Sequence, residues 1–184
     1  LVEQVILDNA DQKIKILDIG TGSGCIAVSL ALALKFAEVT AVDISAEALA
    51  VAERNAAELK AKVTFRRQDM LQLTPCGERF DIIVSNPPYI ADSEKAEMDE
   101  NVLAYEPHTA LFVPDSDPLR FYRALAVYGT QTLVPGGRLY FEINSRFPKE
   151  MTEMLEELGY ADVEIRKDMQ RMPRFAVAKW KKED

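Results

Sequence analysis

KIKILDIGTGSGCIAVSLALALKF, Lys13 to Phe36, sets a strand, a turn and a helix end to end. Lys13 to Ile19 alternates into an apolar, β-branched run and predicts a strand. Gly20, Gly22 and Gly24 interrupt it, and the alanine- and leucine-rich run from Cys25 to Phe36 predicts a helix behind them. In such a turn the backbone N–H groups are unshielded by side chains and face the helix N-terminus, so a polar or anionic ligand can come close. Outward from this unit the same alternation repeats. Val39 to Asp43 reads as a second strand. Ser45 is an N-cap with Ala48 and Leu49 behind it, opening a helix to about Leu59. Val63 to Gln68 is a third strand. Phe80 to Ser85 is a fourth, nearly all apolar, as a strand buried on both faces requires. Leu119 to Leu133 reads as helix, Pro135-Gly136-Gly137 as a tight turn, and Arg138 to Ile143 as a fifth strand. Phe147 to Leu158 is a helix ended by Gly159. Val163 to Lys167 and Phe175 to Lys179 have no helix between them and predict an antiparallel, hairpin-like edge. The expectation is one α/β domain over residues 1–184, a seven-stranded, mostly parallel Rossmann-like sheet with helices on both faces and an antiparallel last strand.

Composition narrows the class. The chain is 48% hydrophobic and 28% charged, and no apolar run is long enough to span a bilayer, so no membrane association is expected. A net charge of -8 repels a phosphate backbone at long range and makes nucleic acid an unlikely direct substrate. Cys25 and Cys76 follow no metal-ligand or CxxC spacing and read as free thiols; with no signal-peptide pattern, a cytoplasmic monomer is expected. His108 has no partner at ligand spacing, so no metal is expected and a loop role is assigned to it. The opening LVEQVIL has a helical period, and residues 1–12 read as part of an amphipathic helix cut from something longer.

The glycine turn alone does not choose its ligand, since dinucleotides, phosphates and nucleosides all use such turns. Spacing narrows it. A dinucleotide fingerprint wants a glycine where Cys25 stands, and Asp18, two residues before Gly20, would repel a pyrophosphate. A carboxylate at the mouth of the turn suits instead the ammonium of a methionine moiety, directly or through water, which favours S-adenosyl-L-methionine, leaving S-adenosyl-L-homocysteine. Gly20, Thr21, Gly22, Ser23 and Gly24 then cradle that cofactor. Asp43 at the end of the second strand can hold both ribose hydroxyls, with Ile44 beside it. Asp69 can receive the adenine amino group and Met70 can pack on the ring, a strand-end cap being the alternative reading of Asp69.

Asn86-Pro87-Pro88-Tyr89 follows the fourth strand. Such an Asn-Pro-Pro-aromatic string occurs by chance about once in a thousand chains of this length, too rarely to dismiss given its position. The two prolines fix φ twice, and Pro87 keeps Asn86 out of helical geometry, so the loop is stiff. An amide NH2 is a poor nucleophile, its lone pair being delocalised into the carbonyl, and needs orientation more than deprotonation. Asn86 through its side-chain oxygen and Pro87 through its carbonyl can each accept one N–H, while Tyr89 lies flat against the planar group. Asn86, Pro87 and Tyr89 are the expected catalytic residues. Asp92 to Asn101 is polar and acidic and predicts a surface loop or short helix over the site.

DIGTGSGCIAVSLA, VTAVDIS, FDIIVSNPPYI, EPHTALF, RFYRALA and LVPGGRLYFEI together resemble the release-factor glutamine methyltransferases, over essentially the whole chain. The resemblance implies a class I S-adenosylmethionine-dependent domain and methylation of the glutamine in the Gly-Gly-Gln motif of peptide-chain release factors. Cofactor residues would fall on Gly20 to Gly24, Asp43 and Asn86, and the glutamine grip on Asn86 to Tyr89. Family members often carry an aromatic residue where Met70 stands, and an extra N-terminal helical domain. Asp168 to Arg174 matches only loosely and has no role assigned. The Asn-Pro-Pro-Tyr motif is shared with adenine-amino methyltransferases of DNA and RNA, which solve the same problem of a planar NH2; EPHTALF favours protein glutamine. A noncatalytic cofactor-binding module is the remaining alternative, and it has no need of such a grip.

Overall fold

The computed structural model describes residues 1–9, 12–97 and 112–181. Helix α1 (Val2–Asn9) leads into strand β1 (Lys15–Ile19), helix α2 (Cys25–Ala33), strand β2 (Glu38–Asp43), helix α3 (Ala46–Leu59) and strand β3 (Val63–Arg67). Strand β4 (Phe80–Ser85) follows, then the short strands β5 (Ile90–Ala91) and β6 (Phe112–Val113), with a 3-10 turn at Asp92–Glu97. Helix α4 (Arg120–Thr132), strand β7 (Leu133–Glu142), helix α5 (Pro148–Glu157) and strands β8 (Tyr160–Lys167) and β9 (Pro173–Trp180) complete it. The main sheet has seven strands in the order β3-β2-β1-β4-β7-β9-β8, with β5 and β6 forming a small separate pair. Strands β1, β2, β3, β4 and β7 run parallel; β9 runs antiparallel to both of its neighbours.

Period-two burial divides the strand side chains between two cores. Leu17, Ile19, Ile83, Leu139 and Phe141 point to the face covered by α4 and α5, where Tyr122, Leu125, Met151 and Leu155 meet them. Ile16, Ile82, Val84 and Tyr140 point to the other face, against Val5 of α1 and Ala27 and Leu30 of α2. Each such aliphatic side chain, fully buried, contributes about 1.5–3 kcal/mol, and together they hold β1 and β4 rigidly at the centre. The cap at Ser45 forms as expected, its hydroxyl accepting from Ala48 N at 3.0 Å.

Helix α1 is clasped from two sides. Asn9 donates to Val5 O at 2.8 Å, and Asp8 accepts from the Tyr140 hydroxyl and from Arg166 Nη1, each at 3.0 Å.

Two expectations are corrected, and the antiparallel, hairpin-like edge with its antiparallel last strand is borne out. Pro135-Gly136-Gly137 does not separate a helix from a strand: Leu133, expected to end the helix, already pairs with Phe80 as the first residue of β7. Between that pair and Ile82↔Arg138, two steps on β4 are matched by five on β7, so the Pro-Gly-Gly segment is a bulge within a strand. Burial of Leu133 restarts pairing before the proline, and Gly136, at φ 81°, accommodates the bend. Helix α2 stops at Ala33, short of Phe36, because Leu34 leaves helical geometry at ψ 88°. The last two strands form an antiparallel hairpin, but β9 is inserted between β7 and β8, leaving β8 as the edge. The β5–β6 pair has no counterpart in the sequence reading, since two-residue strands leave no period to detect.

Candidate active site

The strand order reverses at β1 and β4: β1 leads through α2 to one side and β4 through α4 to the other. The crevice beyond the carboxyl ends of such strands is where ligands bind in open α/β sheets. Ile19 pairs with Ser85, so Gly20 and Asn86 leave the sheet side by side, and Ser85 Oγ donates to Ile19 O at 2.6 Å across the gap. On the other flank Gly20 N and Thr21 N both donate to Val42 O, at 2.9 and 3.0 Å, which brings the glycine turn against Asp43. Gln68 N donates to Asp43 O at 2.9 Å, delivering Asp69 and Met70 to the same edge. All of the expected cofactor and acceptor residues therefore lie along one row of strand ends.

The three glycines of the turn do different work. A Cβ at Gly24 would stand 2.9 Å from Ala52 Cβ, so Gly24 lets α2 and α3 pack. A Cβ at Gly20 would come within 2.7 Å of the Met70 methyl, which lies across the turn. Gly22, at φ +56°, would put its Cβ into open space, and its N–H donates to Asp43 Oδ2 at 2.8 Å. Asp43 Oδ1 accepts from Ser45 N at 2.9 Å, so the carboxylate is fixed while each oxygen keeps lone-pair capacity for a hydroxyl. Ile44 beside it is 56% exposed, a large apolar side chain left to the crevice.

Asp18 lies beneath the turn rather than at its mouth. It is fully buried; Oδ2 accepts from Thr21 Oγ1 at 2.6 Å, and Oδ1 has no hydrogen-bond partner among the described residues. Burial pushes its pKa up to about 7, with the Thr21 hydrogen bond pulling the other way. An orphaned carboxylate oxygen below a glycine cradle fits a ligand that brings a cation. Asp69 is engaged locally, accepting from Leu71 N at 2.9 Å and from Gln72 Nε2 at 3.0 Å. Those bonds are the strand-end cap, and the carboxylate keeps further lone pairs that the turn does not use. The residues present thus fit S-adenosylmethionine: an acid for the ammonium, an acid for the ribose, and Ile44 and Met70 as apolar surfaces for a ring.

At the reacting end Pro87 and Pro88 are buried, Tyr89 is half-buried, and Asn86 is exposed with no side-chain hydrogen bond among the described residues. Ser23 is exposed and contributes only its carbonyl, which accepts from Asn55 Nδ2 at 2.9 Å. The Tyr89 hydroxyl donates to Glu142 Oε1 at 3.1 Å. Burial, then the Glu142 charge and hydrogen bond, push the Tyr89 pKa up to about 12, so it remains a neutral phenol. Asn144, itself buried, donates through Nδ2 to Tyr89 O at 2.9 Å and to Glu94 Oε1 at 2.8 Å, and its Oδ1 accepts from Arg146 N at 2.9 Å. Glu94 Oε1 also accepts from Ala91 N at 2.9 Å. The loop is thus tied on both sides of Tyr89 to the end of β7.

Sequence reasoning missed these supports: Ser85, Glu94, Glu142 and Asn144. The available signal was a pair of polar residues, Glu142 and Asn144, at the end of an otherwise apolar strand. An open cleft of about 590 Å³ between Met70–Leu73 and α4 meets this row only at Met70. The expectations for His108 and for EPHTALF, apart from Phe112 at the start of β6, fall on residues 98–111, outside the described residues, as do the last four residues of Asp92 to Asn101; the first six are the 3-10 turn. Among the described residues no helix is long and apolar enough to cross a membrane.

The model of the methyltransferase small domain family matches residues 2–107. The chain is 52% identical over 179 residues to the release factor glutamine methyltransferase of Bacteroides thetaiotaomicron, covering 97% of this chain and 64% of that protein. It is 48% identical over 173 residues to the release factor glutamine methyltransferase of Flavobacterium psychrophilum, covering 92% and 61%. The chain therefore spans somewhat less than two thirds of the length of these relatives. In fold it is similar to the crystal structure of a methyltransferase from Pyrococcus furiosus, with a TM-score of 0.70 at 19% identity over 98% of this chain and 81% of that one. The seven-stranded order with its inserted antiparallel last strand is the class I methyltransferase fold, and the chain belongs to the methyltransferase small domain family.

Proposed function

We propose that this chain is the catalytic part of a protein-glutamine methyltransferase. It transfers a methyl group from S-adenosylmethionine to the side-chain amide nitrogen of the glutamine in the Gly-Gly-Gln motif of a peptide-chain release factor, as a monomer in the cytoplasm. The observation that carries this reading is the exposed Asn86 amide, without a side-chain hydrogen bond among the described residues, at the head of a buried, braced proline loop adjacent to the glycine turn. The named relatives supply the acceptor.

When bound, S-adenosylmethionine supplies an electrophilic methyl group on a sulfonium. Gly20 to Gly24, Asp43 and Ile44 would hold the nucleoside end, Asp69 and Met70 would serve the ring, and Asp18 with Thr21 would serve the methionine end. The chain's part at the acceptor is orientation. The Asn86 side-chain oxygen and the Pro87 carbonyl each accept one N–H of the glutamine amide, turning its nitrogen lone pair toward the methyl. The Tyr89 hydroxyl, held by Glu142, fixes the ring beside that amide. Tyr89 does not act as a base, because its pKa lies far above neutrality. The proton lost from nitrogen goes to water. Holding nucleophile and methyl in line is worth several kcal/mol as an order of magnitude.

The test is transfer of labelled methyl to a purified release factor, beside its Gln→Ala form and an adenine-containing oligonucleotide. Label on the intact factor alone is the expected result. Label on the oligonucleotide would move the acceptor to nucleic acid, and equal label on the Gln→Ala factor would remove glutamine as the target.

A further inference from the structure

Strand β9 is antiparallel to β7, and β8 is antiparallel to β9, so β8 points the same way as β7. Its last residue, Lys167, therefore ends at the edge of the sheet where Glu142 ends, and the β8–β9 turn emerges on the side of the reacting loop. Ile143 N donates to Arg174 O at 2.9 Å, and the Arg174 guanidinium lies within reach of the Tyr89 hydroxyl and of the Glu142 carboxylate.

The turn is built, not frayed. Asp168 Oδ1 accepts from Gln170 N at 2.9 Å and from Met172 N at 3.0 Å, and Oδ2 accepts from Arg174 Nε at 3.2 Å. Asp168 N donates to Met172 O at 3.0 Å and closes the turn. On this frame Met169 is 102% exposed and Met172 45%. A rigid mount that holds a long apolar side chain fully in water gains nothing for the fold. Methionine is the side chain that adapts best to an irregular apolar surface. Arg174, two residues beyond Met172, lies against Tyr89, so the turn borders the space into which a polypeptide seated at Asn86 to Tyr89 would extend and which a small amide would not reach.

Resting on the glutamine reading above, we propose that the turn from Asp168 to Met172, with Met169 at its tip, is a docking surface for the polypeptide that flanks the acceptor glutamine of a protein substrate.

The experiment is steady-state methylation of a purified release factor by wild type, Met169→Asp, Met169→Leu and a Leu59→Ser control, with S-adenosylhomocysteine affinity and thermal melting measured on each. Leu59 is 57% exposed at the end of α3, at the opposite edge of the sheet. Met169→Asp raises KM for the protein roughly ten- to hundredfold, the loss expected for one apolar side chain that would otherwise be buried in the complex. Its kcat at saturation, S-adenosylhomocysteine affinity and melting temperature stay at wild-type values. Met169→Leu retains the wild-type KM, and Leu59→Ser changes nothing. An unchanged KM for Met169→Asp, or a fall in kcat at constant KM, overturns the docking surface while leaving the glutamine reading intact. Absence of transfer from wild type to the release factor would sink that reading, and the docking surface with it.

Discussion

Gly22 and Gly24 stand two residues apart in one turn, and their surroundings predict opposite failures. Gly24→Ala forces a Cβ into Ala52 at φ +83° and should destabilise the fold by about 1–3 kcal/mol, read as a lower melting temperature. Gly22→Ala meets no neighbour, so beyond the strain of its φ the methyl intrudes only on the crevice. Its signature is a weaker affinity for S-adenosylhomocysteine, larger in proportion than the change in melting. Equal behaviour of the two variants would mean that the crevice is not where the ligand sits. Asp18 makes a prediction in pH. Its pKa is raised from 3.8 to about 7 in the fold, so the unfolded chain loses this proton first. The folded state then binds more protons between those values, and its stability falls as pH rises through them. Asn cannot titrate. The stability of cofactor-free Asp18→Asn relative to wild type should therefore improve from pH 4 to pH 8 by up to about 4 kcal/mol, the equivalent of that shift. A difference that stays flat with pH in denaturant melts would show that Asp18 titrates normally. The Gly-rich turn and Asp43 were legible in the sequence because their spacing is local; the burial of Asp18 was not, because the groups that shield it come from other elements.

At the level of elements, the reacting loop is held by β7 through side chains that no sequence pattern pairs with it. Glu142 and Asn144 lie more than fifty residues beyond Tyr89, and only the parallel register of β4 and β7 brings them together. Asn144→Ala removes donors to Tyr89 O and Glu94 in a buried setting, which should cost about 1–3 kcal/mol. For a chain of this size that is roughly 2–4 °C of melting temperature per kcal/mol. Loosening the Tyr89 carbonyl should also lower kcat by about ten- to a hundredfold while S-adenosylhomocysteine affinity holds, because the cofactor residues lie on other strands. If melting falls and kcat does not, the brace serves the fold alone. The same scale explains the misread Pro-Gly-Gly segment. Its glycines carry a turn signal, yet the pairing of Leu133 with Phe80 outweighs it and turns a local stop into a bulge.

Over the whole molecule, the alternation of apolar runs and helical stretches was enough to give the seven-stranded α/β class. The central strands β1 and β4 are buried on both faces and so write a near-continuous apolar signal, while β3 and β8 at the edges alternate or stay half-buried. What it could not give was the placement of the last two strands, since an inserted β9 and an edge β8 have the same local pattern in either order. The clasp of α1 was also hidden, because Asp8 and Arg166 meet across nearly the full length of the chain. Convergence explains why the site was more legible than its supports: cofactor and acceptor residues are short motifs at strand ends, and one sheet edge collects them all. The central claim is that Asn86, although it borders the cofactor, acts by orienting the acceptor and contributes little to cofactor affinity. Its most direct test compares wild type with Asn86→Ala in a single-turnover assay on the release factor, with S-adenosylhomocysteine affinity measured by calorimetry on the same preparations. The predicted result is a loss of turnover of about a hundredfold or more, with affinity within a few-fold of wild type. Turnover retained in Asn86→Ala would contradict the orienting role, and a matching collapse of affinity would make Asn86 a cofactor residue instead.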